Sequence, residues 1–180
     1  MEQRFKLASH GKTLWTRDVA RPLREQVEDR LASAASGDIV VIDMKGVEAF
    51  DFSFANEFFG KLLLSLPSMY PQRFIVVEGL TEYTRENLVK ALESLNLAMI
   101  ERVKKKPVLI GKLHPADTAT FEAIAKEKAA VTAATLSSKL SLTVTAVNER
   151  LTKLSDLGLL RRLQGQSEAG RKQFEYAVPA

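Results

Sequence analysis

The sequence predicts an α/β chain: a layered domain with a mainly parallel sheet, followed by a small unit of short helices and a hairpin. Two runs, Ile39-Val40-Val41-Ile42 and Phe74-Ile75-Val76-Val77, are apolar without alternation, which marks strands buried on both faces. Helical patterns separate them, and parallel neighbours need such crossovers. Past about residue 112 the buried strands stop, and Ala- and Thr-rich helical segments follow one another directly.

In order, Arg4–Ala8 alternates as a short strand before the turn residues Ser9-His10-Gly11. From Arg17 to about Ala35, Val19, Leu23, Val27 and Leu31 recur at four-residue spacing, an amphipathic helix with Pro22 near its start. A second helix is expected from about Ser53 to Leu66, with Phe54, Phe58, Leu62 and Leu66 on one stripe and Pro67 as its stop. A third begins near Thr84 and carries Leu88, Leu92 and Leu95. Residues 97–106 show no decisive pattern, and Val108-Leu109-Ile110-Gly111 reads as the last strand of the first domain. The break at 112–116, without a Gly/Ser or charged spacer, divides the chain into residues 1–113 and 114–180 across a short joint.

Composition bounds the function classes. The 180 residues, 46% hydrophobic and 27% charged, suit a globular protein. The longest apolar stretches fall well short of the roughly 20 residues that cross a bilayer, so no membrane partner is expected. The absence of cysteine excludes thiolate zinc sites and disulfides, and with no leader pattern at the N-terminus a cytoplasmic location is expected. The net charge of +4 is a mild lean toward polyanions. Its distribution says more: between 139 and 172, seven basic residues face three acidic ones.

That basic region has a legible layout. Helices are expected over about Asp117–Ala129 and Thr132–Leu140, the latter capped by Thr132. The break Ser141-Leu142-Thr143 precedes a helix whose apolar positions are Val144, Val147, Leu151 and Leu154. Two helices across a tight turn make a helix-turn-helix. Opposite the stripe lie Thr143, Thr145, Ala146, Asn148, Glu149, Arg150 and Lys153, small or hydrogen-bonding first and basic later, as a helix entering a major groove requires. Gly158 supplies a left-handed stop, and Leu159–Val178 reads as a hairpin carrying Arg161, Arg162, Arg171 and Lys172.

The run "TAATLSSKLSLTVTAVNERLTKLSDLGLLRRLQGQSEAGRKQFEYAV" (132–178) resembles bacterial winged-helix repressors of the MarR and ArsR kind, with their "LxxLxxLGLL" helix end and basic wing. The resemblance implies base contacts from Thr143, Thr145, Ala146, Asn148 and Glu149. It implies phosphate contacts from Arg150, Lys153, Arg161, Arg162, Arg171 and Lys172. Double-stranded DNA is then the expected partner, met as a homodimer because most such readers pair half-sites.

The run "DIVVIDMKGVEAFDFSFANEFFGKLLLSL" (38–66), with "TRDVARPL" (16–23) upstream, resembles STAS-like domains, relatives of the anti-anti-sigma factors. The match rests on Asp43, Gly46-Val47, Ser53-Phe54-Ala55 and Glu57. In those relatives a serine directly after an Asp is phosphorylated by an ATPase-like kinase. Here Phe52 follows Asp51 and the serine, Ser53, comes one place later. Ser53 is therefore a candidate regulatory residue, with helix capping as its ordinary role. The cluster Phe50, Phe52, Phe54, Phe58 and Phe59 is read as core, with an exposed face for a partner as the alternative.

Asp43, Glu48, Asp51 and Glu57 are the carboxylates that a metal or acid–base site would use, but an enzyme is not expected. His10 and His114 lack spaced partners, there is no phosphate-cradling glycine loop, and no cofactor or metal is implied. The expectation is a DNA-binding transcriptional regulator, a repressor, with a STAS-like sensing or interaction domain. The alternative is a partner-switching adaptor that binds an ATPase or regulatory protein, its winged helix serving protein interaction.

Overall fold

The computed structural model describes residues 1–166, 170 and 172–179. A five-stranded sheet runs in the order β1 (Glu2–Lys6), β3 (Ile39–Asp43), β5 (Phe74–Glu78), β6 (Ala98–Val103) and β7 (Lys106–Gly111). The first four are parallel, with Arg4 opposite Val41, Val41 opposite Val76 and Val76 opposite Ile100; β7 returns antiparallel to β6. The chain is thus a mixed α/β fold around a mostly parallel sheet, as its apolar runs predicted.

Helix α1 (Arg17–Ser33) links β1 to β3. A continuous helical path made of α2 (Phe52–Ala55), a π turn at Asn56–Gly60 and α3 (Lys61–Met69) links β3 to β5, and α4 (Glu82–Ser94) links β5 to β6. Strands β2 (Thr13–Leu14) and β4 (Ala49–Phe50) form a small parallel pair beside them. Because the strand order advances in one direction and such crossovers share one hand, the linking helices all belong on one face. The packing agrees: Val40, Ile42, Ile75, Val77 and Met99 point into a core with Leu23, Val27, Leu31, Phe54, Leu62, Leu88 and Leu92.

The alternate residues Ile39, Val41, Phe74, Val76, Ala98 and Ile100 point the other way. They are covered by the rest of the chain: α5 (Pro115–Ala125), β8 (Val131–Thr132), α6 (Ala133–Leu140), α7 (Val144–Asp156), β9 (Arg161–Gln166) and β10 (Lys172–Ala177), with the three strands ordered β8-β10-β9. Phe121, Ile124, Leu136, Val147, Leu151, Leu154, Leu160 and Tyr176 form one apolar cluster with that sheet face. The non-alternating strands are thereby explained, since each is sandwiched between helices and this second layer.

Several local expectations are corrected. Ala20, rather than Val19, joins Leu23, Val27 and Leu31 on the buried side of α1, and Val19 is exposed. Pro67 does not stop α3, which continues to Met69; a proline this near the end removes one ladder bond while Leu62, Leu63 and Leu66 hold the segment in the core. Val144 is exposed in the first turn of α7, at the edge of the stripe, which is Val147, Leu151 and Leu154. Helix α5 ends at Ala125 rather than Ala129, and it starts at Pro115 with the His114 ring as its cap. The unassigned stretch 97–106 holds β6 and the turn into β7. Lys104 and Lys105 turn there with φ of 50° and 65°, a geometry that normally announces itself as Asn-Gly.

Candidate nucleic-acid interface

Helix α7 follows α6 across a tight turn, as the sequence predicted, and a threonine caps each of the two helices. Thr132 caps α6 by accepting from the Thr135 amide at 3.2 Å, Ser141 turns the chain with φ of 54°, and Thr143 caps α7 by accepting from the Ala146 amide at 3.2 Å. The Thr143 hydroxyl therefore has a structural task. Thr145, Asn148 and Glu149 are exposed and Ala146 is half-buried. With Thr152, Lys153, Asp156 and Leu157, the residues Thr145, Asn148 and Glu149 line an open groove of about 700 Å³ whose far side is Pro67. Thr152 was not among the expected contacts, although the three- and four-residue spacing of 145, 148, 149 and 152 places it on the same stripe.

The basic residues expected to meet phosphate divide into two groups. Arg150 is half-buried and points back across α5, 3.4 Å from the Ala116 carbonyl and 3.5 Å from the Thr120 hydroxyl. Lys153 donates at 2.5 Å to Asp117, a buried carboxylate at the start of α5. Arg161 donates to the Gly37 carbonyl at 2.8 Å and lies 5.7 Å from the Phe74 ring centre, joining β9 to the sheet. These three are engaged within the chain. Arg162 and Lys172 face solvent, Arg162 stacking 3.5 Å from the centre of the exposed Phe174 ring. Arg171 lies outside the described residues.

Two further contacts seat α7, and the sequence carried no pattern for either. The Gln72 side chain donates to the Ser155 hydroxyl at 3.1 Å and accepts from the Arg162 amide at 3.1 Å. Gly158, with φ of 72° as expected, packs so closely on Leu66 that an added Cβ would lie 2.7 Å from it.

In the first layer the four carboxylates have separate tasks. Asp43 binds Arg4 at 3.3 Å and the Lys45 amide at 3.0 Å, and Glu48 pairs with Lys12 at 3.2 Å. Asp51, not Ser53, caps α2: it accepts from the Phe54 amide at 2.7 Å and from the Thr16 amide at 3.2 Å. Ser53 sits half-buried in the first turn, two positions too late for the cap. Four of the five clustered phenylalanines are buried and Phe52 alone is exposed.

Glu57 is carried inward by the π turn. Lys61 binds it at 2.6 Å, with Arg24 at 3.5 Å and Arg21 at 3.9 Å. Burial acts to raise its pKa, but the Lys61 bond and the charges of Lys61, Arg24 and Arg21 prevail and hold it below its ordinary 4.5. A depressed carboxylate stabilises the fold above its unfolded value and loses that contribution as pH falls through the folded one. The thermal midpoint is accordingly expected to drop on acidification below pH 4.5, and to drop less steeply in Glu57→Gln. Equal slopes in melts across that range would remove Glu57 from the acid response. Among the described residues no group of three or more His, Asp or Glu is placed to hold a metal, and no helix is long and apolar enough to cross a membrane.

No curated protein matches the sequence. A solved structure titled "Possible transcriptional regulator from Methanosarcina mazei Go1" is similar at 25% identity, with a TM-score of 0.34, over 37% of this chain. This chain spans 56% of that one. Residues 19–85, which run from α1 through the parallel strands β3 and β5 into α4, match the family model described as a STAS-like domain of unknown function (DUF4325).

Proposed function

We propose that the chain is a DNA-binding transcriptional regulator, in which residues 114–180 act as a winged helix-turn-helix and the STAS-like layer senses a signal or recruits a partner. The observation that carries this reading is the order α5-β8-α6-α7-β9-β10 with strands ordered β8-β10-β9, which leaves the flank Thr145, Asn148, Glu149 and Thr152 facing solvent. A major groove admits such a helix, and its small polar side chains are suited to base edges. Asn148 pairs with adenine in this reading, and Glu149 accepts from a cytosine amine. Phosphate contacts fall to Arg162 and Lys172, because Arg150, Lys153 and Arg161 are engaged inside the chain. A homodimer presents two such helices to paired half-sites.

One observation favours a second reading. Glu149 and Asp156 are exposed on the groove-lining flank of α7, while its lysine, Lys153, is tied to Asp117. An acidic flank suits a protein partner, so the alternative is an adaptor whose α7 surface binds a regulatory protein or ATPase.

A mobility-shift assay against a randomised duplex pool separates the two. Asn148→Ala is expected to relax preference at one base position by about 1–3 kcal/mol. Arg162→Ala with Lys172→Ala is expected to weaken all sequences evenly and to reduce the salt slope by about one for each phosphate no longer neutralised. No sequence enrichment by the wild-type chain, together with binding unchanged in both variants, refutes the DNA reading.

A further inference from the structure

A second surface lies away from α7, where the open edge of the sheet meets α5. Here Lys106, Pro107, Val108, Leu109, Phe121 and Ala125 line a groove of about 670 Å³, and Lys126 and Lys128 stand on its rim. Lys104 and Lys105 occupy the adjoining turn between β6 and β7. All five lysines are exposed, and none is in an ion pair among the described residues. Glu122 is the acidic residue among those lining the groove.

Among the described residues no strand pairs with β7 on this side, since β7 ends the sheet order. The Lys112 amide donates to the Leu97 carbonyl at 2.8 Å, which sets the alternation of the antiparallel ladder. By that alternation Leu109 and Gly111 turn their amides outward, and Pro107 sits where no inward amide is needed. Val108, 43% exposed, adds an apolar side chain at the edge.

We propose that this groove docks an extended segment of a partner protein in which acidic and apolar residues alternate. Three features select that chemistry. An open strand edge pairs with an extended backbone. The apolar floor rewards alternate side chains, and the exposed lysines complement carboxylates on the others. A duplex would meet the lysines through its phosphates and gain nothing from the exposed apolar surface at Val108, so that surface argues for a peptide. The surface stands independently of the DNA reading of α7.

The test is fluorescence anisotropy on the full chain, with a labelled peptide alternating Glu with Val or Ile as probe. Lys126→Gln with Lys128→Gln, and separately Val108→Ser, are each expected to weaken binding about tenfold. A peptide of equal charge with Ser at the apolar positions is expected to bind at least as weakly. Arg162→Ala with Lys172→Ala, which probes DNA binding, is expected to leave the peptide affinity unchanged. If Val108→Ser lowers the thermal midpoint, the exposed lysine pair and the Ser peptide carry the result. Absent binding, or equal binding of the two peptides, overturns the proposal. Displacement of the peptide by a mixed-sequence duplex at matched charge overturns it too and assigns the lysines to nucleic acid.

Discussion

Phe74→Ala and Leu151→Ala are each expected to destabilise the entire chain by several kcal/mol in one transition. Both side chains are fully buried, Phe74 on the sheet and Leu151 on α7, within the same apolar cluster. Truncations of this kind cost about 3–5 kcal/mol for Phe and about 2–5 kcal/mol for Leu, because the lost burial is compounded by a cavity that cannot fully collapse. The single tryptophan, Trp15, lies beside the small β2–β4 pair, far along the chain from α7. Its fluorescence therefore reports the first layer. In Leu151→Ala the Trp15 transition is expected to move to lower denaturant together with the circular dichroism transition. A Trp15 midpoint that stays in place while the dichroism becomes biphasic would show that the two layers unfold independently.

Gly158→Val is expected to cost about 2–5 kcal/mol, from two sources that can be separated. A side chain at φ of 72° incurs roughly 1–2 kcal/mol of backbone strain. Forcing its Cβ against Leu66, 2% exposed and packed in the core, adds about 1–3 kcal/mol of overpacking. Gly37 also has a positive φ, of 91°, but an added Cβ there meets nothing within 4 Å. Gly37→Ala should thus show the backbone cost alone, and Gly158→Ala in a Leu66→Ala background should cost less than in the wild type. Chemical denaturation of Gly158→Ala, Leu66→Ala, the double variant and the wild type measures the coupling. Additive losses would mean that the contact between α3 and the end of α7 carries no energy. Since that contact seats α7 beside Pro67, Gly158→Val is also expected to alter whatever binds the flank of α7.

Short-range signals explain what could be read beforehand. The β-branched runs, most positions of the 3.6-residue stripes and the Thr132 cap are properties of a few adjacent residues, and they are found where expected. Failures occur where one local rule outweighed another or had no local signature. Ser53 looked like a cap because serine favours that position, but Asp51 occupies it and binds Thr16 as well. The β6–β7 turn was invisible because lysines fill positions that usually advertise themselves with Asn-Gly. The lysine groove has no sequence signature for a related reason: Lys106, Lys126 and Lys128 meet only after β7 and α5 pack side by side.

The amino-acid sequence by itself determined the α/β class, the parallel strands and the exposed flank of α7, since periodicity and capping act within a turn or two of the chain. Tertiary structure alone decided which cations remain free. Lys153 finds Asp117 from 36 residues away and Arg161 finds Gly37 from 124 away, pairings that arise only when the second layer closes over the sheet. Charge on a sequence is a count, but its availability to a partner depends on which opposite charges and carbonyls the packed core brings within reach.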